Sequence, residues 1–151
     1  MSKTGKCVFM FIFGLMAYIT IEVCYKQTSH WIMGLCGGLV FVLLDKINDK
    51  ISWDMDILVQ GTIGSLLITS LEFIIGEISL RGLIQPMWDY SDMPFNYKGI
   101  VCLPFSLIWV GLSIVAIVVA DFINYYIFHE DTIPYYKLLG KTIYKFKPNK
   151  R

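Results

Sequence analysis

Charged residues are scarce in this chain. Asp, Glu, Lys and Arg make up 17% of the 151 residues, against 56% hydrophobic and 15% aromatic residues. An ordinary soluble domain has about 25% charged residues, and a disordered chain has low hydrophobicity. The composition excludes both classes and is typical of an integral membrane protein.

Metal-binding and redox motifs are also missing. The two histidines, His30 and His129, lie far apart, and the four cysteines occur singly, at Cys7, Cys24, Cys36 and Cys102. These spacings indicate neither a zinc site nor a disulfide framework, although Cys24 and Cys102 fall at the same predicted membrane face, where they could pair. We predict no metal ion and no cofactor.

Nucleotide-binding motifs are lacking too. Gly140-Lys141-Thr142 resembles the end of a phosphate-binding loop, but Tyr135 stands where that pattern requires its first glycine. Any ATP-driven process would therefore need a separate cytoplasmic ATPase. The net charge of +1 gives no reason to expect nucleic acid as a partner, and no polar segment is long enough for a soluble domain.

Long apolar runs are what the sequence has instead. A membrane crossing needs about 20 helical residues, and three runs are that long, whereas the second has 14 residues: Cys7–Tyr25, Trp31–Leu44, Ile57–Leu80 and Ile100–Ala120. The first has no cleavage site of a secretory signal, so we interpret it as a retained span. We predict an all-α integral membrane protein, a four-transmembrane-helix bundle whose second span is short, with a re-entrant segment as the alternative.

Lysine and arginine placement predicts the orientation, because these residues accumulate on cytoplasmic flanks. Four spans with a cytoplasmic N-terminus put ten of the thirteen Lys and Arg residues inside and three, Lys26, Arg81 and Lys98, outside. The inside set is Lys3, Lys6, Lys46, Lys50, Lys137, Lys141, Lys145, Lys147, Lys150 and Arg151. We therefore predict a multi-pass protein of the cell membrane with both termini cytoplasmic.

The chain divides at residue 128. Residues 1–128 form the predicted four-span membrane domain, and residues 129–151 a basic cytoplasmic C-terminal tail. Lys137, Lys141 and Lys145 are four residues apart, which would place them on one face of a short surface helix against anionic lipid. An ordinary basic anchor beside the lipid bilayer is the alternative.

Two polar stripes indicate how the last two spans pack. The third span has small and polar residues at spacings of three and four, and the fourth repeats the pattern. Small residues allow close helix approach, so we expect the stripes to face each other. Gly34 and Gly38 mark a packing face on the second span. The stripes are Thr62, Ser65, Thr69, Glu72, Gly76 and Ser79, and Cys102, Ser106, Trp109, Ser113, Ala116 and Ala120.

Glu72 is the leading functional candidate. It lies 15 residues into its span, about 22 Å into the membrane, where an ionisable group is a functional candidate by default. Its alternative role is structural, with Ser106 or Trp109 as hydrogen-bond donors. Glu77 is expected to pair with Arg81, one turn later. The loop Met87–Asn96 adds aromatic and polar groups, so we predict a shared outward-facing pocket of Glu72, Trp88, Asp89, Tyr90, Asn96, Ser106 and Trp109.

Ordinary structural roles explain several of these residues equally well. Asp89 and Ser91 are typical turn formers, and Trp88 and Tyr90 are typical of the interfacial aromatic belt.

The same region carries a family resemblance. Leu71-Glu72-x-x-x-Gly76-Glu77, Trp88-Asp89-Tyr90-Ser91, Pro94-Phe95-Asn96 and Cys102-Leu103-Pro104-Phe105-Ser106-x-x-Trp109 resemble the type IV ABC-transporter membrane proteins called CmpB-like. The resemblance covers roughly residues 65–115. It implies a small multi-pass bacterial membrane protein similar to a transporter permease, and it implies no catalytic mechanism.

The leading hypothesis is therefore the membrane component of a transporter. Glu72 would bind the substrate, Trp88, Tyr90 and Trp109 would form aromatic walls, and Asp89 and Asn96 would orient the ligand. Four spans call for a homo-oligomer or a partner membrane subunit. The alternatives are a membrane enzyme acting on a lipid or lipid-linked substrate, with Glu72 or Asp89 as general base, and an accessory or sensor subunit. Because the motif contains no histidine, we favour a non-enzymatic function.

Overall fold

The computed structural model describes residues 2–47 and 51–148, and four long helices dominate them. They are α1 (Lys3–Lys26), α2 (Trp31–Asp45), α3 (Ile57–Leu80) and α4 (Leu103–Phe122), and α4 continues into a π-helical turn, Ile123–Ile127. Three helical segments, α1, α3 and Leu103–Ile127, are long and apolar enough to cross a membrane, and α2 is a shorter apolar helix. The predicted helical membrane bundle is confirmed. Lys50, Lys150 and Arg151 of the charge count lie outside the described residues.

Local signals set the helix boundaries. Ser2 caps α1 by accepting a hydrogen bond from the Gly5 amide at 3.1 Å, and Asp56 caps α3 through the Leu58 amide at 2.9 Å. These side chains satisfy amides that have no partner within the first helical turn. Pro104 stands in the first turn of α4, where its missing N–H is tolerated.

Glycines join α1 and α2 into one antiparallel helical hairpin. A methyl group added at Gly34 or Gly37 of α2 would lie within 2.7 Å of Ile19 or 2.4 Å of Tyr18 on α1. Gly38 meets the backbone of Phe11 in the same way, at 2.7 Å. The predicted Gly34 and Gly38 packing face is therefore confirmed, with α1 as its partner.

Small polar residues join α3 and α4 into a second hairpin. Ser65 donates to the Ser106 carbonyl at 2.6 Å, and the Thr69 and Ser106 hydroxyls are 3.0 Å apart. Gly64 brings α3 so close to α4 that an added methyl group would lie 2.5 Å from the Ser113 Cβ. The two predicted stripes do face each other. Two members depart from this pattern: Thr62 is exposed and bonds its own helix at Leu58, and Ala120 is buried in a cluster with Met10 of α1 and Phe41 of α2.

The bundle has two distinct ends. The loop end holds residues 81–102, and the hairpin end holds the strands after residue 134. At the loop end Lys26 reaches the Met87 carbonyl at 3.3 Å, and at the hairpin end Asp45 accepts a 2.6 Å hydrogen bond from Asn124. Since α2 begins just after Lys26 and finishes at Asp45, it runs from one end to the other. The structure favours a crossing over the re-entrant alternative.

A small hairpin orders the loop end. Strands β1 (Asn96–Tyr97) and β2 (Val101–Cys102) pair antiparallel. Their turn brings Lys98 to Glu77, with Nζ 2.6 Å from Oε1. The predicted Glu77–Arg81 pair is therefore wrong: α3 ends at Leu80, so Arg81 no longer follows the helical path, and Lys98 takes its place.

The basic tail is a β-hairpin, and the prediction of a surface helix is wrong. Strands β3 (Tyr135–Leu138) and β4 (Lys141–Lys145) pair antiparallel. Leu139 and Gly140 form the turn with φ of 51° and 76°, the two positive values that a tight hairpin turn requires. The segment contains aromatic and β-branched residues, which favour strands. The four-residue spacing of its lysines indicated a helix instead.

The β3–β4 hairpin is packed into the bundle. Tyr136 and Phe146 are buried with Leu44, Ile57 and Ile117 in one apolar cluster. The Tyr136 hydroxyl donates to Asp121 at 2.8 Å, and its pKa is raised by burial and then by the Asp121 charge. Residues 135–146 therefore complete the hairpin end of the bundle.

Two aspartates of the α2–α3 connection bind residues of β3 and of the turn that follows it. Asp54 accepts from Lys137 at 2.6 Å and from the Tyr135 hydroxyl at 2.9 Å, and Asp56 accepts from the Leu139 amide. The Lys137 and Tyr135 hydrogen bonds hold the pKa of Asp54 below its usual range. The connection and the hairpin thus form one surface.

Candidate functional site

Glu72 accepts hydrogen bonds from donors on two elements, the loop and α4. Its Oε1 accepts the Tyr90 hydroxyl at 2.9 Å, and its Oε2 accepts the Trp109 indole N–H at 3.0 Å. The residue is only 4% exposed. A buried carboxylate needs such donors, and it can accept about four hydrogen bonds. Two donors therefore fix Glu72 in place and leave acceptor capacity for a ligand.

Trp88 and Tyr90 hold the loop over Glu72. The Trp88 indole donates to the Ile100 carbonyl at 2.8 Å, and the Tyr90 amide donates to the Gly99 carbonyl at 2.8 Å. The Tyr90 ring stacks on Phe105 of α4 with centroids 4.7 Å apart. These bonds bring a loop residue and a membrane-helix residue to the same carboxylate.

Asp89 stabilises a turn within this loop. Its Oδ1 accepts the Ser91 amide at 2.8 Å and the Ser91 hydroxyl at 2.5 Å. Gly99 has φ of 69°, and a methyl group there would lie 2.5 Å from the Ser91 hydroxyl. Asp89 is therefore a turn former here, as one of the two sequence interpretations held.

Asn96 has a comparable structural position. Its amide group donates to the carbonyls of Ser91 and Met93 at 3.1 and 2.8 Å, and its carbonyl accepts the Gly99 amide at 3.1 Å. All three bonds stay within the loop, and the residue is exposed.

A large cleft opens beside Glu72, between the two helical hairpins. Its volume is about 500 Å³, within the range of roughly 300–1,000 Å³ typical of small-molecule sites. All four helices and the loop contribute to its walls. Apolar side chains form most of the surface, and the polar groups that line it gather mainly towards the loop end, at Glu72, Tyr90, Glu22 and Lys26.

The cleft brings together four of the seven predicted site residues. Glu72, Trp88, Tyr90 and Trp109 line it, whereas Asp89, Asn96 and Ser106 do not. Ser106 lies in the α3–α4 interface, where it bonds Thr69 and the Cys102 carbonyl. These three residues thus support the site from outside the cleft.

The α1 wall of the cleft was not in the predicted site. Glu22 is 8% exposed, pairs with Lys26 at 2.7 Å and accepts from Ser29 at 2.5 Å. Tyr18 and Tyr25 line the same wall. A carboxylate within an apolar span with a lysine four residues later was the available signal for Glu22. Phe105, on the α4 wall, belonged to the motif and offered no separate polar signal.

Electrostatics around the loop follow from these contacts. Burial, and then the nearby Glu72 charge, raise the pKa of Tyr90, so its hydroxyl remains a donor at all physiological pH values. The hydrogen bonds from Ser91 lower the pKa of Asp89, which therefore remains an acceptor. These two loop groups therefore keep their protonation states over the ordinary pH range.

The arrangement can bind a molecule that has an apolar body and a polar group. The carboxylate offers acceptors at one end, and the rest of the cleft offers apolar and aromatic contacts. Within residues 2–47 and 51–148, no group of three or more His, Cys, Asp or Glu side chains is placed to hold a metal ion.

Helices of this length and composition, packed as two helical hairpins with a cleft between them, define a multi-pass membrane protein. The comparison with known families agrees with that class. Residues 8–139 match the family described as "Putative ABC-transporter type IV", and the chain belongs to this family. No curated protein sequence and no solved structure matches it significantly.

Proposed function

We propose that the chain is the membrane component of an ABC transporter and that its substrate binds in the cleft at Glu72. The observation that carries this proposal is the Glu72 carboxylate itself, which is held by Tyr90 and Trp109 and lines a cleft of about 500 Å³. An ionisable group in a membrane helix is energetically costly, which makes it a functional candidate by default. Trp88, Tyr90 and Trp109 supply the aromatic walls.

The loop end faces the outside in this proposal. The hairpin end carries more Lys and Arg residues than the loop end, and this excess supports a cytoplasmic hairpin end. The surface formed by the β3–β4 hairpin and the α2–α3 connection would then be available to a separate ATPase. A second copy or a partner membrane subunit would complete the translocation path, because one chain offers only four helices.

Cysteine labelling tests the orientation. In a cysteine-free background, Ser91→Cys is expected to react with a membrane-impermeant maleimide in intact cells, whereas Thr142→Cys should react only after the membrane is opened. The reverse pattern would overturn the proposed orientation.

ATP hydrolysis tests the function. The chain is purified from its native membranes with any bound ATPase and reconstituted in nanodiscs made from the lipids of the same membranes. We expect Glu72→Gln to reduce lipid-stimulated hydrolysis strongly, since it removes the charge at the site. Glu77→Gln, which breaks only the surface pair with Lys98, is the matched control and should retain the rate. An unchanged rate in Glu72→Gln, or the absence of any bound ATPase, would contradict the proposal.

One observation favours the second candidate, a membrane enzyme acting on a lipid: the walls of the cleft are mainly apolar. Lipid extracted after incubation with the purified chain distinguishes the two functions. Chemically altered lipid that the wild type forms and the Glu72→Gln variant does not would support the enzymatic function. Unaltered lipid would support transport.

A further inference from the structure

Side chains of α1 meet the second helical hairpin at both ends of the bundle. At the hairpin end, Met10 is fully buried against Ala120, and the rings of Phe9 and Phe128 are 5.3 Å apart. At the loop end, the rings of Tyr25 and Phe105 are 6.5 Å apart. Because α1 meets the second helical hairpin at both ends, the cleft between these contacts opens at the side of the bundle. In a membrane, that side faces lipid.

The side walls of the cleft are apolar. They include Phe13, Ala17 and Ile21 from α1 and Ile108, Leu112 and Val115 from α4. Ile21, Ile108 and Val115 each expose about half of their surface, at 49%, 51% and 58%, so the apolar wall continues onto the outer face of the bundle. Apolar cavities do not hold water well. A hydrocarbon chain that enters from the side is the occupant that suits these walls.

The charges at the loop end of the cleft are not balanced. Two carboxylates, Glu22 and Glu72, and one cation, Lys26, line this end. Lys26 is paired with Glu22 at 2.7 Å, and the ion pairs of residues 2–47 and 51–148 include none with Glu72. Among the residues that the structure describes, the hydrogen-bond donors to Glu72 are neutral, Tyr90 and Trp109. The complementary group for it is a cation.

We propose that the cleft binds one molecule of a cationic amphiphile, with a single hydrocarbon chain along the α1 and α4 walls and an ammonium head at Glu72. The inference rests on the proposed function, since it names the substrate class of the same site. The ammonium would donate to the free acceptor positions of the carboxylate.

Tryptophan quenching tests this proposal directly. Of the four tryptophans, Trp88 and Trp109 line the cleft, and Trp31 and Trp53 do not. A Trp31→Phe, Trp53→Phe chain in nanodiscs therefore reports only on the cleft. The probe is 6,7-dibromododecylamine, whose mid-chain bromine atoms would lie near Trp88 and Trp109 when the ammonium is at Glu72 and would quench their fluorescence, and 6,7-dibromododecanol is the uncharged probe with the same chain.

We expect saturable quenching by the amine, with an affinity at least about tenfold above that of the alcohol, as a charged hydrogen bond implies. Glu72→Gln should remove this preference without changing alcohol binding, and Glu77→Gln should retain it. Near-ultraviolet circular dichroism confirms that each variant is folded. Equal affinities for amine and alcohol, or no saturable quenching, would overturn the proposal.

Ethylamine separates this proposal from the function on which it rests. If ethylamine, which has the head but no chain, displaces the probe as effectively as dodecylamine does, the amphiphile class is overturned while the substrate site at Glu72 stands. Failure of the proposed function appears in a different measurement, as ATP hydrolysis that Glu72→Gln leaves unchanged.

Discussion

Removing one hydroxyl group from Tyr90 should destabilise the protein and detach the loop from α3. Tyr90→Phe eliminates the 2.9 Å hydrogen bond to Glu72 Oε1 but keeps the ring that stacks on Phe105 at 4.7 Å. A hydrogen bond to a charged group contributes about 1.5–3 kcal/mol. The retained stacking adds little to the loss, so we expect the free energy of unfolding to fall by about 1.5–3 kcal/mol.

The measurement is unfolding in mixed micelles at increasing mole fractions of SDS, followed by tryptophan fluorescence. Tyr97→Phe is the matched control, since Tyr97 lies in the same loop and is 53% exposed; we expect it to change stability by less than about 0.5 kcal/mol. The Tyr90→Phe, Glu72→Gln double variant should show a coupling energy of about 1 kcal/mol or more. Equal effects of Tyr90→Phe and Tyr97→Phe, or additivity in the double variant, would refute the reasoning.

Two further predictions concern the rest of the bundle. Gly64→Ala places a methyl group 2.5 Å from the Ser113 Cβ and should lower the free energy of unfolding by about 1–3 kcal/mol in the same assay. The control, Gly111→Ala, meets nothing within 4 Å and should be neutral or stabilising. Equal stabilities of the two variants would contradict the close approach of α3 and α4. The Asp54–Lys137 pair should hold the β3–β4 hairpin at neutral pH, because a carboxylate with a lowered pKa contributes stability above its usual pKa, and that contribution disappears as the pH falls through the lowered value. Hydrogen exchange of the hairpin amides should therefore rise only in acid, and Asp54→Asn should raise it already at pH 7; a variant that exchanges like the wild type would count against the pair.

The sequence predicts the membrane bundle and the packing of α3 on α4 well. Small and polar residues at helical spacing identify the side of a membrane helix that faces protein, whatever its distant partners are. Ser65, Thr69 and Gly64 confirm this rule through their contacts with Ser106 and Ser113. The partners of Glu72 were also predicted in part, since Trp109 was one of the two donors proposed for its structural role.

Contacts between distant segments could not be predicted in the same way. The lysines of the tail have helical spacing, but Tyr136 is buried against residues from α2, α3 and α4. This tertiary contact stabilises the segment as a strand. The Glu77–Arg81 expectation failed for a similar reason, because Lys98 approaches from a turn that no local pattern fixes. The α1 wall of the cleft depends on how two helical hairpins dock, which a periodic pattern within one helix does not specify.

The burial of Tyr136 and Phe146 among α2, α3 and α4 has a consequence for biosynthesis. Residues 135–146 follow all four helices in the chain, so they leave the ribosome after the helices and can pack among α2, α3 and α4 only once those helices have emerged. Final assembly is therefore a late step that takes place in water at the membrane surface. Until then, Leu44, Ile57 and Ile117 lack the apolar contacts that Tyr136 and Phe146 supply.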